Sequence, residues 1–151
     1  MAITNILIVD DEARFLKTTQ ALLEKEDYKV FTATDGLKGL ATLKEKRVDV
    51  VVLDVKMPGL DGIETLRRIK AEHPLVEVLM LTGHATMETA IEGLKLGAFD
   101  YLTKPCDLPV LKQKITEAYE KRSAMLEKIQ RAKIDRIISH PMEVFSKEES
   151  I

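Results

Sequence analysis

The chain predicts an α/β protein built around an open parallel sheet, and two observations carry that reading. Short apolar runs of strand length alternate with stretches of helical period, the signature of repeated βαβ units. Four of those runs, in ILIVDD, VDVVVLD, VEVLMLT and FDYLTK, end on a residue able to do chemistry: Asp10 with Asp11, Asp54, Thr82 and Lys104. In an open parallel sheet the C-terminal strand ends lie side by side, so these distant residues are expected to share one crevice.

The elements follow in order. Residues 4–9 read as the first strand, and Ala13, Leu16, Thr19, Leu22 and Leu23 recur at helical spacing on a helix ending near Lys25. A second strand is expected at 28–33. Asp35 then caps a helix whose inner face is Leu37, Leu40, Ala41 and Leu43, followed by the wholly apolar strand 50–53. MPGLDG breaks the pattern, because Pro58, Gly59 and Gly62 favour a loop. Helix three uses Ile63, Leu66 and Ile69 and stops at Pro74, and strand four runs from Val76 to Leu81. Helix four is expected from about Ala85 to Leu96, with Ile91 and Leu94 inward and Gly97 as its C-terminal cap. Strand five covers about Phe99 to Leu102. Asp107 caps the last helix, which tolerates Pro109 because first-turn amides lack intrahelical partners.

That last helix has no early stop. Leu111, Ile115, Ala118, Arg122, Met125 and Ile129 alternate steps of four and three, a stripe like that of a coiled coil. We therefore expect a domain over residues 1–122 and a helical tail over 123–151, with SHP at 139–141 ending the helix.

Composition bounds the function classes. A chain of 151 residues holds one domain plus an appendage. With 45% hydrophobic and 32% charged residues and a formal net charge of −2, it shows no bias toward nucleic acid or membrane surfaces. In the tail, Lys128, Arg131, Lys133, Arg136 and Lys147 are balanced by acids, so no nucleic-acid-binding stripe is expected. The single cysteine, Cys106, excludes an internal disulfide, and the N-terminus MAITNILIVDD lacks a signal-peptide pattern. A cytoplasmic protein without a membrane span is the expectation.

Three carboxylates, a hydroxyl and an ammonium in one crevice suit a divalent cation together with a transferable phosphoryl group. Carboxylates crowded together oppose joint ionisation unless a cation compensates, and Mg²⁺ prefers hard oxygen ligands. Asp54 is also a candidate nucleophile toward phosphorus, forming an acyl phosphate. Lys104 would pair with phosphoryl charge and Thr82 donate to a phosphoryl oxygen.

With these residues in place, the chain resembles the receiver domain of two-component response regulators from about Ile6 to Arg122. The resemblance rests on Asp10-Asp11, Asp54 followed by MPGLDG, Thr82-Gly83-His84-Ala85, the segment GAFDYLTKP, and Lys104-Pro105. TGHATMETAIEGLKLGAFDYLTKP is especially similar to receivers of the nitrogen-regulator type. It implies a doubly wound, flavodoxin-like sheet in the order 2-1-3-4-5 with helices on both faces, an order the receivers themselves exemplify. It also implies that Asp54 accepts phosphate from a histidine kinase or histidine phosphotransfer protein. Mg²⁺ would be held by Asp11, Asp54 and the backbone carbonyl of Lys56, assisted by Asp10. Thr82 and Tyr101 would be a switch pair that alters the surface of helix four, strand five and helix five. The resulting protein is a phosphoacceptor in signalling rather than an enzyme, acting through a downstream protein partner or a homodimer.

Cys106 departs from the family pattern, which often has an aromatic residue after Lys-Pro. Taken singly, each motif has a plainer reading: Asp10-Asp11 as a capping turn, Asp54 as a cap or turn, MPGLDG as a turn, Thr82 as a strand-end hydroxyl, Lys104 as a surface charge, Tyr101 as a half-buried strand aromatic. Their joint order favours the phosphoacceptor. A metal-dependent phosphatase with an aspartyl nucleophile is the alternative, but such enzymes usually place a second carboxylate two residues on, where this chain has Lys56.

Overall fold

The computed structural model describes residues 3–57, 59–83 and 86–140. The expectations resting on Pro58, on His84 and Ala85, and on the tail beyond His140 lie outside the described residues. Five strands, β1 (Asn5–Val9), β2 (Lys29–Ala33), β3 (Val50–Leu53), β4 (Glu77–Thr82) and β5 (Asp100–Thr103), alternate with helices α1 (Ala13–Glu24), α2 (Gly36–Glu45), α3 (Gly62–Glu72), α4 (Met87–Lys95) and α5 (Leu108–Ser139). Every paired strand is parallel and the order is β2-β1-β3-β4-β5, as the resemblance implied.

The sheet is covered on both faces because its central strands are apolar on both. Side chains alternate across a strand, so Ile6, Ile8, Val50, Val52, Leu79 and Leu81 meet α1 and α5 through Leu16, Leu23, Leu111, Ile115 and Ala118. Leu7, Val9, Val51, Leu53, Val78 and Met80 form the opposite layer with α2 and α3 through Leu40, Leu43, Leu66 and Ile69.

Local chemistry sets the helix ends. The Asp35 and Asp61 side chains accept the amides of Lys38 and Glu64, capping α2 and α3. Thr86 and Thr89 form a reciprocal box at the start of α4. Gly97 closes α4 at φ +104°, a conformation that glycine adopts without steric cost. Asp107 stands at the N-cap of α5 but makes no side-chain capping bond.

Three helical faces differ from the sequence expectation. In α2 the inner face is Gly36, Gly39, Leu40 and Leu43, while Leu37 and Ala41 are exposed. The sheet is close enough there that a Cβ on Gly39 would come within 2.9 Å of Val9, so glycine rather than leucine faces it. In α1, Ala13 and Leu22 are exposed and Leu16, Thr19 and Leu23 carry the packing. In α4 only Gly93 is buried, and Ile91 and Leu94 are each 47% exposed rather than inward. Helical spacing identifies a stripe without saying which flank meets the sheet.

Helix α5 spans 32 residues, about 48 Å at 1.5 Å per residue. Its buried residues are Leu111, Ile115 and Ala118, all in the first third. Arg122 ends the packed part: its Nε donates to Asp49 Oδ1 at 3.2 Å, and the same carboxylate accepts the Asn5 amide at 2.9 Å. Beyond it, Met125, Ile129, Ile134, Ile137 and Ile138 are exposed.

Gly62, the first residue of α3, packs directly on the backbone just past the end of β3. An added Cβ would lie 2.2 Å from the Asp54 carbonyl oxygen and 2.5 Å from Val55 Cα, both backbone atoms. Gly62→Ala is therefore expected to destabilise the fold by about 1–3 kcal/mol despite the better helix propensity of alanine, read as a lower urea unfolding midpoint. An unchanged midpoint would refute this packing.

Candidate functional site

The parallel register assembles the crevice. Val9 pairs with both Ala33 and Leu53, and Leu53 also pairs with Met80. One further residue along β1 and β3 sets Asp10 beside Asp54, with the Asp10 amide donating to the Ala33 carbonyl and the Asp54 amide to the Val9 carbonyl. Thr82 ends β4 opposite Thr103, and the Lys104 amide donates to the Thr82 carbonyl at 2.9 Å. A cis peptide joins Lys104 to Pro105. All four strand ends thus converge where the chain order reverses across β1, the usual ligand position in such sheets.

The side chains close on one another. Lys104 Nζ donates to Asp10 Oδ2 at 2.5 Å and lies 3.4 Å from Glu12 Oε1 and 3.8 Å from Asp54 Oδ2. Asp10 and Asp54 are 1% and 4% exposed, so this is a desolvated charge cluster rather than a surface ion pair. The second Asp10 oxygen accepts the Glu12 amide at 2.9 Å, and Asp54 Oδ1 accepts the Lys56 amide at 3.3 Å. Burial pushes the Asp10 carboxyl above its ordinary range. The Lys104 hydrogen bond and the Glu12 amide draw it back only partway, and the Asp54 charge adds to the rise. For Lys104, burial acts downward but is outweighed by the Asp10 hydrogen bond and by the charges of Asp10, Asp54 and Glu12, so its ammonium is held above its ordinary value.

Carboxylate oxygens of Asp10, Glu12 and Asp54 lie within 4.8 Å of one another. This is a hard-oxygen set suited to a small divalent cation. Asp11, expected among the metal ligands, is exposed and does not join this group. Asp10 and Glu12 both reach Lys104, whereas the Asp11 carboxylate lies outside the 4.8 Å group. Glu12 was missed in the sequence because an acid after a strand-ending acidic pair reads as helix-start chemistry. As the N-cap residue of α1 it makes no capping bond; its carboxylate turns to Lys104 instead.

Thr82 is fully buried at the end of β4. Tyr101 is half-buried on β5, its hydroxyl 3.2 Å from Thr89 Oγ1 in the first turn of α4. Lys56 is exposed, with its amide on Asp54 as described. Among the described residues, no helix is long and apolar enough to cross a membrane.

Comparison with known proteins agrees with this fold. Residues 6–116 match the family described as the response regulator receiver domain. The chain is 43% identical over 114 residues to the transcriptional regulatory protein ZraR of Klebsiella oxytoca, covering 76% of this chain and 26% of that protein. Against the transcriptional regulatory protein CseB of Streptomyces coelicolor it is 41% identical over 112 residues, covering 74% of this chain and 47% of the relative. The chain thus spans about a quarter to a half of the length of these relatives. Among solved structures, a CheY-like receiver domain protein from Methanospirillum hungatei JF-1 superposes with a TM-score of 0.79 at 31% identity, covering 82% of this chain and 99% of that one. The receiver domain of NtrX from Brucella abortus gives a TM-score of 0.72 at 34% identity, covering 76% and 98%. In sequence and in strand order, the chain belongs to the response regulator receiver domain family.

Proposed function

We propose that Asp54 is a phosphoacceptor, charged by a histidine kinase or a histidine phosphotransfer protein. The observation that carries this reading is the buried Asp54 carboxylate lying 3.8 Å from Lys104 Nζ and beside Asp10 at the mouth of the sheet. In the reaction an Asp54 oxygen attacks phosphorus, the P–N bond to the donor histidine breaks, and the phosphoryl group becomes an acyl phosphate on Asp54. Lys104 pairs with the phosphoryl charge, and the Thr82 hydroxyl donates to one of its oxygens. The protein is a signalling phosphoacceptor rather than a multiple-turnover enzyme. Incubation with acetyl phosphate and Mg²⁺ should add one phosphate to the intact mass, and Asp54→Asn should abolish it; a wild-type mass that does not change refutes the assignment.

Mg²⁺ is the cofactor this donor set suits. Asp10, Asp54 and Glu12 stand together, and the family resemblance implies Asp11, Asp54 and the backbone carbonyl of Lys56 as the ligands, assisted by Asp10. Bound there, the ion would neutralise charge on the carboxylates and on the phosphoryl oxygens. The metal-free cluster carries a pH signature. The Asp10 pKa in the fold lies above the ordinary 3.8, so its ionised form costs stability; the cost is fully present above the folded pKa and vanishes as the pH falls below 3.8. In Mg²⁺-free buffer Asp10→Asn should therefore raise the melting temperature at pH 7, by an increment that narrows as the pH is lowered through the raised pKa. Equal melting temperatures at pH 7 would contradict the sign.

The output side is read the same way. Thr82 and Tyr101 form the switch pair, in which the hydroxyl moves to the phosphoryl group and the ring swings inward. The Tyr101 to Thr89 contact supports a path from that ring to α4, and so to the α4, β5 and α5 surface offered to a downstream protein partner. Residues 1–122 act as the receiver unit. The exposed apolar residues of α5 from Met125 to Ile138 support self-association of two copies through the helical extension, without nucleic-acid binding by this chain. Sedimentation should show the full chain self-associating and a version ending at Arg122 as a monomer. Identical monomeric behaviour would count against the dimer.

A further inference from the structure

The first turn of α1 is organised around Lys104. Glu12 leaves the N-cap bond unmade and turns its carboxylate to the ammonium, and Phe15 places its ring face under the same group, with Nζ 4.0 Å from the ring centroid. Two other lysine–phenylalanine pairs in the molecule are looser, Lys29 over Phe31 at 5.6 Å and Lys121 over Phe99 at 5.7 Å. Phe15 is half-buried against the layer shared by α1 and α5, so its ring is fixed by packing rather than by the lysine. We propose that Phe15 is a positioning residue for Lys104, its ring forming a cation–π floor on which the ammonium is held within reach of Asp54.

Two physical points support this. A lysine head on a four-carbon stem has many rotamers to lose, and Asp10 alone restrains it from one side only. A ring face attracts the cation without demanding a hydrogen-bond direction, so Nζ can tilt from Asp10 toward Asp54 while keeping that contact. Hydrogen bonds to Asp10 and Glu12 cannot follow such a movement. Because Lys104 is only 15% exposed, the contact is largely desolvated, where cation–π attraction is stronger than at a surface.

The role of Phe15 rests on the reading of Asp54 as phosphoacceptor, and the test separates the two. In protein carrying ¹³Cε-lysine, the Lys104 methylene next to Nζ, assigned through Lys104→Arg, should be displaced upfield by the ring, with Lys29 and Lys121 as internal references. Phe15→Leu should return it toward the other lysines, and Phe15→Tyr should keep it displaced. In parallel, the rate at which acetyl phosphate with Mg²⁺ modifies Asp54 should fall about threefold to thirtyfold in Phe15→Leu and stay near wild type in Phe15→Tyr. A small-molecule donor removes any contribution of Phe15 to docking a protein. If Phe15→Leu loses the fold by circular dichroism, Phe15→Met, whose unbranched chain of similar volume adapts better to an irregular gap, takes its place. A Lys104 resonance that ignores the substitution, or a modification rate that does, overturns the proposal. A wild-type protein that takes no phosphate overturns the phosphoacceptor reading instead, and the resonance still judges the contact.

Discussion

One ammonium holds the crevice together. Lys104 donates to a carboxylate that is almost wholly buried and stands beside a second, and without that charge β1 and β3 would end in uncompensated negative charge at the edge of a dry core. Even with it, burial keeps the Asp10 carboxyl above its ordinary range, so the ionised form of Asp10 costs stability. The apolar layers on either face of the sheet sustain it. A fold that accepts such a cost at the strand ends gains a site whose charges are already fixed in place before a cation or phosphoryl group arrives.

The same sheet has a second charged edge with a different character. At the opposite strand ends Asp49 is held by Arg122 and by the Asn5 amide, and Glu77 lies near Lys70 at 4.0 Å and Lys121 at 3.6 Å. The Arg122 and Lys121 pairs bind α5 to the start of β3 and to β4, and Lys70 ties α3 to β4; these are the two strands that lead to Asp54 and Thr82 at their other ends. Past Arg122 the helix continues without a buried residue among those described, so its regularity there comes from backbone hydrogen bonding while its apolar side chains stay available.

Much of this was legible in the sequence. The wholly apolar 50–53 segment became β3 with the same bounds, because a strand buried on both faces has little choice of composition. Asp35 caps α2 and Gly97 closes α4, since both effects are local to a few backbone groups. The faces of α2 and α4 were not legible. Leu37, Ile91 and Leu94 sit at helical spacing yet point outward, and glycines take the inner positions where sheet and helix approach too closely for a side chain.

At the site, Asp10, Asp54, Thr82 and Lys104 were marked by sequence alone, because each follows a run that can only be a buried strand and parallel sheets gather such ends. What the sequence could not show was that Glu12, next to the acidic pair, would bring its carboxylate to Lys104. Nor could it show that Phe15 would lie under Lys104, a contact between residues far apart in the chain. Residue type and local periodicity thus determined the elements and the inventory of charges. Register, strand alternation and the closeness of helix to sheet decided which of those charges meet, because these are properties of distances between segments, on which no single segment carries information.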